Sequence, residues 1–210
     1  MKTLKFTFAI LLAFCLTSMM SAQSFQGMIE FTKKYGERTV TYKYFIKGDD
    51  IRIEEIGPEG KTYGVQLINI KEDKMLSFSP ERKLYMDAPR NTVEMTASID
   101  ANSTGNANTV AGYKTREIVV KDKEEDRQIT FHIADENFDF FLPMLELMNR
   151  RDKFSIYYQM LDVKAGSFPM KAIEVIAGKE ESVLEVTKVE KKTLDANLFQ
   201  VPDGYTKFER

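Results

Sequence analysis

"TVTYKYFIK", residues 39–47, decides the fold class. Val40, Tyr42, Tyr44 and Ile46 fall on one face, with Thr41, Lys43 and Lys47 opposite. A period of two is the mark of a half-buried β-strand, whose successive side chains point to opposite faces. Working outward, "GMIEFTKKY" (27–35) repeats the pattern: Ile29, Phe31 and Tyr35 alternate with Glu30, Thr32 and Lys34. "KGDD" then turns the chain into "IRIEEI", "GPEGK" into "TYGVQLINI", "KEDK" into "KMLSFS", and "SPERK" into "LYMD". Gly, Pro and Asp supply the backbone conformations that such turns need. Strands this close in sequence pair antiparallel, because a parallel return requires a long crossover. The class is therefore mainly β, with some helix (α+β).

The second half resumes the same reading after a break. Residues 88–110 lose the alternation, and "TASIDANSTGNANT" offers too little apolar surface to offset its ordering entropy. A mobile loop is expected there, preceded by a short helix near 93–99. Strands return in "AGYKTREIVVKD" and "RQITFHIAD", joined by the charged turn "KDKEED". "FPMKAIEVIAG" and "ESVLEVTKVEKK" read as a closing hairpin. Between these pairs lies "FDFFLPMLELM", residues 138–148, conspicuously apolar in a chain that is 30% charged. Phe138, Phe141, Leu145 and Met148 recur at steps of three and four, which is helical spacing. Pro143 is tolerated only in a first turn. A helical segment over 137–149, starting its main helix near Pro143, is expected. "KFSIYYQMLDV" extends the helical region.

The chain opens on a secretory signal. Lys2 and Lys5 precede an apolar run from Phe6 to Met20, followed by Ser21 and Ala22. The run is short for a membrane span, so cleavage after Ala22 is expected, with residues 1–22 lost and 23–210 forming one domain. Export then places the protein in the periplasm, with secretion from the cell as the alternative, and no stable membrane insertion is expected. The sole cysteine, Cys15, belongs to the signal core. Phe14 stands where a lipidated cysteine would be preceded by a small residue. The remainder can form no disulfide and no thiolate metal site. The net charge is −2, and loss of Lys2 and Lys5 makes it more acidic, which gives nucleic acid no basic surface. A monomer is expected.

Catalytic constellations are not legible. His132 is the single histidine, and it lies opposite the apolar set of its strand, where a surface position is expected. No metal-protease, nucleophile-elbow or phosphate-loop motif occurs. No catalytic residue, cofactor or metal site is assigned, and the protein is not expected to be an enzyme. The chain does hold 11 methionines, with Met144, Met148, Met160 and Met170 near the apolar segment. Flexible thioethers fill irregular cores, and they also serve adaptable binding surfaces.

Four strings carry a resemblance: "EVTKVEKKTLDANLFQVPDGYTKF", "AGYKTREIVVKD", "FLPMLELM" and "FPMKAIEV". Together they resemble an exported bacterial domain-of-unknown-function family, numbered 4412, which is similar to the LolA/LolB lipoprotein-carrier superfamily. The most specific part is the ending D-x-x-L-F-x-V-P-x-G-Y, here Asp195, Leu198, Phe199, Val201, Pro202, Gly204 and Tyr205. The resemblance implies a LolA-like fold: a curved antiparallel half-barrel with helices covering its concave face. It also implies binding or carriage of a lipid or an acylated protein. Phe138, Phe141, Leu142, Met144, Leu145 and Met148 would then form an apolar-ligand cavity or its lid. The same geometry with a self-filled core gives a structural or protein-interaction module of the cell envelope. The carriers keep a functional arginine near the end of an early strand, and Lys47 and Arg52 are the nearest positions here.

Overall fold

The computed structural model describes residues 24–88 and 96–209, so the signal region 1–22 lies outside it, as do residues 93–95 of the short helix expected near 93–99. The strands run in chain order: β1 (Gly27–Tyr35), β2 (Arg38–Lys47), β3 (Asp50–Ile56), β4 (Thr62–Asn69), β5 (Lys74–Ser79), β6 (Leu84–Asp87), β7 (Ile99–Val110), β8 (Tyr113–Asp122) and β9 (Arg127–Asp135). Two helices follow, α1 (Phe141–Met148) and α2 (Lys153–Gln159), then β10 (Ser167–Ile176), β11 (Lys179–Lys191) and the short β12 (Thr206–Lys207). All twelve strands join one curved, unclosed sheet in the order β12-β6-β5-β4-β3-β2-β1-β11-β10-β9-β8-β7. Every pairing is antiparallel except β12 with β6. The β1–β11 pairing is the seam between an N-terminal meander, β1 to β6, and a C-terminal one, β7 to β11.

Register explains which side chains face the helices. Ile29 lies opposite Tyr44, Phe31 opposite Tyr42, and Ile51 opposite both Ile46 and Ile68. These residues, with Val120, Ile129, Phe131, Phe168 and Met170 from the other meander, form one buried core with both helices on the concave face. The alternation read in residues 39–47 thus sets the face as well as the strand.

The convex face carries a smaller core of Val65, Leu67 and Phe78, and the C-terminal motif closes over it. Asp195 caps a 3-10 turn at Ala196–Phe199 by accepting from the Asn197 amide at 2.9 Å. Arg52 Nη1 donates to the Leu198 carbonyl at 3.0 Å. Val201 and Tyr205 pack on the small core, Tyr205 edge-on to Phe78 at 5.3 Å. The signature ending is therefore a clasp. Arg52 serves it from the convex side and does not face the concavity.

One expectation is corrected. Ile99–Val110 is not a loop but strand β7, paired with β8 at the sheet edge. Its side chains are mostly exposed, so its sequence shows no apolar face. The strand is held instead by the backbone ladder to β8, with a bulge between Ser103 and Ala107 where Gly105 takes φ +78°. Only Ile99 and Val110, at its ends, pack against the core. Residues 96–98, within the expected short helix, are not helical.

Candidate functional site

The cover of the concave face begins where β9 ends. Asn137, at φ +45°, turns the chain, and the Phe138 amide donates to the Gly166 carbonyl at 3.1 Å. Pro143 sits in the first turn of α1, where its missing N–H costs nothing. The helix stops at Asn149 in the left-handed conformation, whose amide donates back to the Leu145 carbonyl at 2.9 Å. Asp152 then caps α2, accepting from the Ser155 amide and hydroxyl. The connection between the helices is thus short and fixed, and it carries Arg150.

Of the residues expected to form a lid, Phe138, Phe141, Met144, Leu145 and Met148 are buried in the main core, while Leu142 is partly exposed. Phe138 centres an aromatic cluster, 5.2 Å from Phe25, 5.5 Å from Tyr113 and 5.1 Å from Phe168. Phe141 meets Phe168 at 4.5 Å and Tyr158 at 5.2 Å. Beneath the cover lies a cavity of about 100 Å³, walled by Phe141 and Leu145 from α1, Phe154 and Tyr158 from α2, and Phe31 and Tyr42 from the sheet. Phe138, Met144 and Met148 do not line it.

A larger groove, about 490 Å³, opens beside the cover on the same face. Ile53, Gln66, Ser77, Leu84 and Met86 form its floor, and Phe208 stands at its wall. Arg150 and Tyr42 line both spaces, so they form the partition between them. Arg150 Nη2 reaches the Gln66 side-chain oxygen at 3.4 Å, a long contact across the two meanders' shared face. Burial, followed by the Glu55 carboxylate, pushes the Tyr42 hydroxyl up to about 12, so it is a neutral donor at physiological pH. Sequence reading missed this partition. The alternation puts Tyr42 on the correct face, but nothing in the spacing connects residues 42 and 66 to residue 150.

The neighbouring tyrosines of α2 differ in a testable way. Tyr157 donates to Asp122 Oδ2 at 2.6 Å, which holds that carboxyl below its ordinary range and anchors α2 to the β8–β9 turn. The Tyr158 hydroxyl is buried with no partner among the described residues. Tyr157→Phe is expected to cost about 2 kcal/mol, the scale of a hydrogen bond to a charged group, while Tyr158→Phe leaves stability unchanged or raised. Urea denaturation of the two variants checks this, and a larger loss for Tyr158→Phe would contradict the assignment.

His132 lies on the convex face, away from both spaces. It is buried rather than exposed, because β8 and β10 flank it and Asn108 of β7 reaches over it; its Nδ1 lies 3.4 Å from Asn108 Nδ2, and burial lowers its pKa. Among the described residues, no group of three or more acidic, histidine or cysteine side chains is placed to hold a metal, and no helix is long and apolar enough to cross a membrane.

The model of a domain of unknown function, DUF4412, matches residues 25–205. No curated protein matches the chain. Among solved structures, an uncharacterized conserved protein from Thermus thermophilus is similar at 12% identity and a TM-score of 0.53, over 88% of this chain and 91% of that one. The MucA/MucB complex of Pseudomonas aeruginosa is similar at 11% identity and a TM-score of 0.50, over 82% of this chain but only 54% of the matched chain. At these identities the likeness is one of fold. The architecture is of the LolA-like type that the sequence resemblance implied. The family match spans most of the chain, and the protein belongs to the DUF4412 family.

Proposed function

We propose that this protein binds an apolar ligand, a lipid or an acyl chain, on the concave face of its sheet, and that it does so in the periplasm without catalysing a reaction. The observation that carries this reading is the groove of about 490 Å³ adjoining the smaller cavity through one side-chain partition. Small-molecule sites typically occupy about 300–1,000 Å³, so the groove is of ligand size and the space under the cover alone is not. A chain lying in the groove reaches the space under α1 only if Arg150 and Tyr42 move aside. Each methylene buried contributes about 0.8 kcal/mol, so a chain that fills both spaces is held better than one confined to the groove. The six residues first expected to form a lid then divide: Phe141 and Leu145 meet the ligand's end, and the others hold the cover in place.

A second reading, a protein-interaction module of the envelope, is favoured by one observation. The similar MucB structure is of a complex with MucA. In that reading the groove receives a segment of a partner protein, acylated or not.

Native mass spectrometry of protein taken from its own periplasm separates the two. A lipid-sized adduct, lost on organic extraction, is the expected result. An environment-sensitive apolar dye is expected to bind the extracted protein and to be displaced by fatty acids. Protein that carries no adduct and takes up no dye would overturn lipid binding and leave the interaction module.

A further inference from the structure

We infer that the ligand of the concave face is an anionic amphiphile, whose charged head is held by Arg150 at the partition between the groove and the smaller cavity. The inference rests on the reading of the groove as a ligand site and names the chemistry that site selects.

The argument starts from where the charges stand. Arg150 is partly buried, on the fixed connection between α1 and α2, and lines both spaces. Among the described residues, its one side-chain hydrogen bond is the 3.4 Å contact to Gln66, which leaves most of the guanidinium's donors unused. Among the same residues, no carboxylate lies within the 4.0 Å ion-pair distance of it. Two acidic residues are in the neighbourhood. Asp152 is engaged in capping α2, through the Ser155 amide at 3.1 Å and hydroxyl at 2.9 Å. Glu55 lines the groove from β3, directly opposite Tyr42 in the β2–β3 register, where its carboxylate acts on the Tyr42 hydroxyl. A half-buried guanidinium without a carboxylate partner, set in walls of Phe, Tyr and Leu, is a site for an anion. Its planar fork matches the two oxygens of a carboxylate or phosphate.

Other cations near these spaces are placed differently. Lys33 lies over the Phe154 ring at 5.0 Å and the Tyr35 ring at 4.8 Å, a cation–π arrangement in the lining of the smaller cavity. Arg82 is exposed, on the turn between β5 and β6, where solvent screens its charge. Neither lines both spaces. The Tyr42 hydroxyl, kept protonated, is a second donor at the partition. A head held there directs an apolar tail either along the Leu84 and Met86 floor or under Phe141.

The test uses the mature full-length protein and displacement of the apolar dye by four probes below their micellar concentrations: lauric acid, lauryl phosphate, lauryl alcohol and laurylamine. Lauric acid and lauryl phosphate are expected to displace the dye at concentrations about tenfold or more below those needed for the alcohol, since hydrogen bonds to charged groups discriminate on that scale. Comparison of the acid with the phosphate distinguishes a fatty acid from a phospholipid headgroup as the source. In Arg150→Gln the acid's advantage is expected to vanish while the alcohol's displacement is unchanged, and Arg150→Lys is expected to restore part of it. Lys33→Gln and Arg82→Gln are expected to keep the advantage. Equal displacement by acid and alcohol in the parent protein, or an advantage that survives Arg150→Gln, would overturn the inference while leaving the apolar site intact. Failure of all four probes would instead remove the ligand-site reading beneath it.

Discussion

Met144→Asp is expected to leave the protein unfolded, or close to it, at room temperature. Met144 lies on α1 with 0% of its surface exposed, inside the core shared by both meanders. The described residues that share this core are apolar, and stranding a charge in such a place costs about 3–5 kcal/mol. Small domains hold only about 5–15 kcal/mol in total. Leu142→Asp is the control. It changes the same helix by the same chemistry, but Leu142 is partly exposed, so its carboxylate keeps contact with water. Circular dichroism melts of both variants decide the matter. A Met144→Asp protein that melts near the parent temperature would mean that α1 opens as a unit and is a loosely attached lid. The expected collapse means that the cover is part of the core, and that ligand access runs through the groove and its partition. Phe141→Asp and Met148→Asp, each buried on the same helix, are expected to behave like Met144→Asp.

Much of this architecture was legible in the residues. Val40, Tyr42, Tyr44 and Ile46 announce a strand and a face, and the register places Tyr42, Tyr44 and Ile46 with the core. Phe141, Leu145 and Met148 keep their helical spacing on the buried side of α1. Patterns of this kind are visible because burial acts on side chains at fixed intervals along one element. Strand β7 escaped for the opposite reason. Its Ser, Thr, Asn and Ala residues bury almost nothing, and its order comes from hydrogen bonds to β8 that no residue type advertises. The site escaped in part for a third reason. Arg150 and Gln66 meet across 84 positions of sequence, so the partition exists only after the two meanders share a face. Likewise, the C-terminal motif could be matched as a string, but its work as a clasp on Arg52 and Phe78 depends on which face of β3 and β5 it meets.

Gly27→Ala is expected to damage the seam on which that shared face depends. Gly27 opens β1, pairing with Lys191 of β11 on one side and Ile46 of β2 on the other. Its φ is +151°, a conformation that residues with a Cβ rarely adopt, and the added Cβ would stand 1.9 Å from the Glu190 carbonyl oxygen. The obstacle is backbone, so no side chain can swing away. Relief requires β1 to part from β11, and the neighbouring contacts move with it. The Phe25 amide donates to the Asn137 carbonyl at 2.8 Å, and the Phe25 ring lies 5.2 Å from Phe138 and 6.3 Å from Phe140. Strain at the seam is thereby passed to the segment that leads into the cover. A loss of about 3 kcal/mol or more is expected, combining backbone strain with broken packing. Gly60→Ala supplies the comparison, since Gly60 has φ +73° but nothing within 4 Å of the added Cβ. Conformational strain alone should cost that variant about 1–2 kcal/mol. If denaturant titrations show the two variants equally stable, the close approach at Glu190 is relieved at no cost. The β1–β11 seam would then be looser than its register indicates, and the groove and cover would not be held in one fixed relation by it.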